Sequence, residues 1–256
     1  MRISFSVAFL SAILGAACLP NDAAAQSRNN YRVATATPAP QQKPKFTFIL
    51  FYKENDPATQ AMAEGLKSAI STRVDRAEWT SINVTDPSQR AVVDRYHVDR
   101  APMPMTLCIA PNGAIMGAIP RQMSEQAVEH LLATPAMTET TKALQDKKIA
   151  VIHLKPDARQ SLPAGAAAFL ADPMFRERTT VIDLLVSDAN EARFLKEMEI
   201  RPETVTDSVV VVLAPPGVLV GKFPSTATQE QIAEAIHAAG KCCNDPNCKY
   251  NQNGNK

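Results

Sequence analysis

The chain has 256 residues, of which 45% are hydrophobic, and a formal net charge of +1. That length suits two domains of ordinary size once a leader is set aside. A near-zero charge, with Lys and Arg scattered rather than clustered, excludes a phosphate-neutralising surface and argues against nucleic acid as a partner.

The chain opens with the three-part pattern of an export leader. Met1-Arg2 supplies a positive start, residues 5–17 are an apolar run, and Pro20 breaks it. Ala23-Ala24-Ala25 then offers the small residues of a cleavage site, so residues 1–25 are expected to be a signal peptide. The apolar run falls short of the roughly 20 residues needed to cross a bilayer. Export places the mature protein in the periplasm or outside the cell. Residues 26–45 are polar and proline-containing and read as an extended tether.

Beyond the tether the elements follow one order twice. Residues 46–52 form a strongly apolar strand. Residues 57–71 carry helical spacing through Ala61, Leu66, Ala69 and Ile70. A strand over 77–84, a short helix over 89–96, a strand over 105–109 and a helix over 124–133 follow. The second half gives strands over 149–154, 181–186 and 209–213, with helices over 164–171, 191–198 and 228–239. The hydrophobic runs of the first strand in each half do not alternate, as suits a strand covered on both faces.

An internal repeat ties the halves together. The segment from Ala110 to Pro120, APNGAIMGAIP, matches the segment from Ala214 to Pro224, APPGVLVGKFP. Ala, Pro, Gly, Gly and Pro fall at the same places, with apolar residues between. Each copy follows a strand and precedes a helix, and Pro-x-Gly reads as the turn of a hairpin. The order strand, helix, strand, helix, hairpin, helix predicts an α/β fold with one parallel crossover and one appended antiparallel hairpin. Domains are expected over 46–140 and 146–240, before a tail over 241–256.

That order, with the stretch Tyr96-His97-Val98-Asp99-Arg100-Ala101-Pro102-Met103-Pro104-Met105 ahead of the Ala110-Pro111-Asn112-Gly113 turn, resembles the thioredoxin superfamily. The resemblance implies two tandem thioredoxin-like domains, each a central mixed sheet flanked by helices. It also implies a cis-proline, at Pro104 or Pro102, with Met103–Pro104 favoured. The chain departs from the family where the chemistry lies. Thioredoxins place Cys-x-x-Cys at the end of the first strand, where a helix N-terminus lowers the thiol pKa. Here that place reads Lys53-Glu54-Asn55-Asp56-Pro57 in one half and Pro156-Asp157-Ala158-Arg159-Gln160-Ser161 in the other. Thr206-Asp207-Ser208 occupies the second proline position. No catalytic residue is assigned in either half.

Two readings remain open at this point. The first is a non-catalytic binding or scaffold protein of the cell envelope. Lys53, Glu54, Asn55 and Asp56 would face Pro102, Met103, Pro104 and Met105 and hold a protein or an extended peptide. The plainer role for Asn55 or Asp56 is to cap the helix that begins at Pro57. His97, His130, His153 and His237 are scattered without metal-ligand spacing.

The second reading uses the cysteines. Cys108 lies in a strand and reads as a small buried hydrophobe. Cys242, Cys243 and Cys248 flank the turn Asn244-Asp245-Pro246-Asn247. They suit a small disulfide loop in an oxidising compartment, and as a function either thiol-redox work or thiolate capture of a soft metal such as Cu or Zn. Three thiolates are one short of a closed zinc site. No other cofactor is implied. Gly15-Ala16-Ala17-Cys18 resembles a lipoprotein box with its Leu misplaced, so a lipid on Cys18 is the alternative to cleavage after Ala25. Such a lipid would be the chain's link to a membrane.

Overall fold

The computed structural model describes residues 44–239. The leader, most of the tether and the cysteine tail lie outside the described residues. In chain order the first half holds β1 (Phe46–Tyr52), α1 (Pro57–Ser71), β2 (Ala77–Asn83), α2 (Arg90–Tyr96), β3 (Met105–Ile109), β4 (Ile115–Pro120) and α3 (Glu125–Leu131). Then come α4 (Pro135–Gln145), β5 (Ile149–Lys155), α5 (Ala164–Ala171), α6 (Pro173–Arg176), β6 (Thr179–Leu185), α7 (Ala192–Glu197), β7 (Val209–Ala214), β8 (Val218–Pro224) and α8 (Gln229–Ala238).

Two four-stranded sheets result, ordered β2-β1-β3-β4 and β6-β5-β7-β8. In each, the first pair is parallel and the other two are antiparallel. β1 and β5 are central, which is why FTFILFY and IAVIHLK do not alternate: both faces are covered. Phe48 and Leu50 point to the side packed by α1 and α3, with Met62 and Leu66. Ile49 and Phe51 point to the other, with Val93 of α2. Completely burying one such side chain contributes about 1.5–3 kcal/mol. The turns match the repeat: Gly113 (φ 84) and Gly217 (φ 140) both adopt backbone that side-chain-bearing residues rarely reach.

The helix starts are written locally. Asp56, Ser124, Thr134 and Asp172 accept from the backbone N–H two or three residues on, and Thr228 with Gln231 forms a reciprocal box. The expected helix over 89–96 is a 3-10 turn (Pro87–Gln89) running into α2. β6 begins two residues earlier than expected.

α4 has no counterpart among the expected elements. It packs its small residues Ala136 and Ala143 onto Ala150, Ile152 and Ile182 of the second sheet, and its range straddles the expected join at 140–146. Its sequence, PAMTETTKALQ, offers a stripe of Ala and Met too small to stand out by periodicity. Hydrogen bonds at both ends tie α4 to the rest. Glu191 Oε1, buried, accepts from the Ala136 N–H at 2.8 Å. At the far end the Gln145 amide pairs with both backbone groups of Ile115 on edge strand β4, accepting at 2.9 Å and donating at 2.7 Å. Among the described residues no helix is long and apolar enough to cross a membrane.

Candidate functional site

Strand register brings three loops of the first domain to one end of its sheet. Phe51 pairs with Met105, and Met105 pairs with Pro120. The loop after β1, the loop before β3 and the residue after β4 therefore lie side by side. All eight residues expected at the site gather at this end. They differ in availability. Lys53, Glu54, Asn55, Asp56 and Pro102 are exposed and Met103 is half-buried, whereas Pro104 and Met105 are buried. The Met103–Pro104 bond is cis, and that before Pro102 is not. A second cis bond, Pro215–Pro216, sits in the other hairpin.

The 53–56 loop is organised by the start of α1. Asp56 Oδ1 accepts from the Thr59 N–H at 2.8 Å. That hydrogen bond holds its carboxyl below the ordinary value of 3.8, aided by the Thr59 hydroxyl. The Thr59 hydroxyl also donates to the Glu54 carbonyl at 2.9 Å, and the Gln60 amide donates to the Asn55 carbonyl at 3.1 Å. Asp56 is thus the cap of α1, with its charge against the helix N-terminus. Lys53 and Glu54 turn to solvent. The Met103 backbone N–H and carbonyl have no hydrogen-bond partner among the described residues, while the Pro104 carbonyl accepts from the Arg121 N–H at 3.3 Å.

Arg121 was not legible as a site residue. It follows β4, stands opposite Pro104 and has φ 63. Among the described residues three other non-glycine residues share that left-handed backbone: His97, Lys147 and Glu199. Each of these lies within two residues of a helix end, where such a residue is the usual way to finish it. Arg121 ends no helix. A side-chain-bearing residue in this conformation costs roughly 1–2 kcal/mol.

The matching end of the second domain is closed. Asp207 stands where Met103 stands, two residues before the start of the matching strand, here β7, and Ser208 takes the place of Pro104. Asp207 accepts from the Gln160 amide at 2.6 Å, from the Ser208 N–H at 2.7 Å and from the Ser225 hydroxyl. One carboxylate therefore ties together all three loops, whereas in the first domain the Arg121 N–H on the Pro104 carbonyl joins two of them. Beneath it lies His153 of β5, with 1% of its surface exposed. Its Nδ1 is 2.9 Å from Asp183 Oδ1, and its Nε2 is 3.0 Å from Ser208 Oγ. Lys155 Nζ reaches Asp183 Oδ2 at 3.5 Å.

Ser208, His153 and Asp183 have the spacing of a nucleophile, a base and an orienting acid. The surroundings do not fit acyl transfer. Ser208 is only 2% exposed, and its N–H is engaged by the Asp207 carboxylate, whose charge would oppose an oxyanion there. The arrangement satisfies a buried imidazole and braces the loop. The sequence held one clue to it. A histidine inside the apolar run of β5 must find partners on neighbouring strands.

Neither loop at these strand ends holds a thiol. Cys108 is wholly buried, with Sγ 3.8 Å from the Leu131 carbonyl. Desolvation pushes its thiol up to about 12, far from the thiolate that redox chemistry needs. Cys18, Cys242, Cys243 and Cys248 lie outside the described residues. Among the described residues no cluster of His, Cys, Asp or Glu has the makings of a metal site.

Strand order, pairing and the cis-proline ahead of β3 define two thioredoxin-like domains in tandem, without the Cys-x-x-Cys pair. No family model matches the chain, and no curated protein matches it. Among solved structures it is similar to human ERp44 in its zinc-bound form, at 12% identity and a TM-score of 0.33, covering 78% of this chain and 57% of that one. It is also similar to the first two thioredoxin domains of Eps1p from Naumovozyma dairenensis, at 10% identity and a TM-score of 0.30, covering 74% and 90%. A secreted disulfide oxidoreductase of Mycobacterium tuberculosis matches 36% of this chain and 82% of its own, at 13% identity and a TM-score of 0.25. At such scores these likenesses accompany the fold and say nothing of activity.

Proposed function

We propose that this protein is an exported, non-catalytic thioredoxin-like protein whose first domain holds an extended polypeptide segment. The observation that carries this reading is the unpaired backbone of Met103, between the exposed 53–56 loop and Arg121. An extended chain laid there would gain main-chain hydrogen bonds, as in other cases of strand addition. Two further points support it. The thiol pair is missing at both strand ends, and the one described cysteine is buried and protonated. Export rests on the leader pattern of residues 1–25.

The test is a peptide array probed with the mature protein and with Met103→Pro, which removes the N–H but keeps an apolar side chain. Array-selected peptides should bind the parent and be lost from the variant, with circular dichroism unchanged. Equal binding by both, or no peptide bound at all, would sink the reading.

A further inference from the structure

We propose that Arg121 sets the chemical preference of this surface, selecting segments that carry an aspartate or glutamate next to the residue held at Met103. The inference rests on the binding role proposed for the first domain and adds the class of segment it takes.

Position is the first argument. The Arg121 N–H reaches the Pro104 carbonyl at 3.3 Å, so its Cα stands beside the open backbone of Met103. The side chain is exposed. Arg73, Arg90 and Arg193 are held by Glu129, Asp94 and Glu197. Arg121 has no carboxylate partner among the described residues.

Backbone conformation is the second. At φ 63 glycine would hold the same turn with less strain. The turn ends no helix, so what arginine adds here is its guanidinium, whose fork of donors matches a carboxylate. Strain of this kind persists where the side chain it carries is used.

Charge on the opposite side is the third. The loop after β1 contributes Lys53, Glu54 and Asp56. Asp56 is committed to the start of α1, and Lys53 and Glu54 offset each other. The loop before β3 adds Asp99 and Arg100, which pair at 3.8 Å, so Arg121 supplies, beside the open backbone, a cation that no carboxylate of the described residues holds.

The experiment measures the affinity of array-selected peptides containing Asp or Glu against their Asn or Gln counterparts, for the mature protein, Arg121→Gly and Arg121→Glu. The parent should prefer the acidic peptides by roughly fivefold at low salt, an advantage that fades as salt rises. Arg121→Gly, which suits the left-handed turn, should lose the preference and bind acidic peptides and their neutral counterparts alike. Arg121→Glu should favour Lys or Arg peptides instead. If peptides bind but Arg121→Gly keeps the preference, the assignment to Arg121 falls while the binding role stands. If no peptide binds the parent, both fall.

Discussion

The two domains share strand order, register and hairpin, yet they finish the same end of the sheet in opposite ways. In the first, apolar Leu50 fills the core beneath the site, and Met103 above it keeps its backbone free. In the second, the positions matched to Leu50 and Met103 hold His153 and Asp207, and both are tied by hydrogen bonds to neighbouring loops. One fold thus presents an open strand end and a sealed one. The difference lies in a few polar side chains and leaves the backbone plan intact. A duplicated domain can divide labour this way, with one copy facing a partner and the other serving as a firm base.

Exchanging residues across the repeat is the way to break that comparison. Leu50→His would place a buried imidazole beside Ser81 and Pro104, where Asp183 and Ser208 have no equivalents. It should destabilise the protein by about 2–5 kcal/mol in urea titration. The reverse change, His153→Leu, strands the buried Ser208 hydroxyl and should cost about 1–3 kcal/mol. Adding Ser208→Ala should recover most of that loss, since both partners are then apolar. If the double variant is no better than the single, the hydrogen-bonded chain is not what braces the second domain.

Smaller effects sharpen the picture. Asp207→Ala should speed hydrogen exchange in residues 155–161 and 224–226 while leaving the first domain unchanged. Acid should do the same. Hydrogen bonds from the Ser225 hydroxyl, and then from the Ser208 N–H, lower the Asp207 carboxyl from 3.8. The tie is therefore complete above that value and is lost as pH falls through the lower, folded one. Protection, measured against the intrinsic exchange rate, that stays undiminished as pH falls well below 3.8 would contradict this.

The smallest expected signal is chemical. Cys108 should resist alkylation at mildly basic pH in the native protein and react once unfolded, as peptide mapping can show. Its raised thiol value means the folded state holds a proton that the unfolded state releases above 9.0, so stability should fall slightly above that pH.

Some of this was written plainly in the chain. β1 and β5 announce themselves as strongly apolar runs that do not alternate, and Asp56-Pro57 marks a helix start by cap chemistry alone. Those signals are local. The hidden parts are not. Gln160, Asp207 and Ser225 meet only because three loops converge, so no window of sequence contains them together. α4 is hidden because its buried face is alanine and threonine, small residues that occur inside and out alike. Arg121 is a matter of backbone angle, and an arginine after a proline does not advertise it.

The paired amide of Gln145 has a consequence for anyone who would dissect the molecule. A helix packed on the second sheet supplies the hydrogen bonds that finish the first sheet's edge at Ile115. A first domain cut off before α4 would bare that backbone and leave an edge ready to pair with a neighbour. Such a fragment should clump on concentration, whereas one carrying a detached helix spanning Pro135–Gln145, added back as a peptide, should stay dispersed.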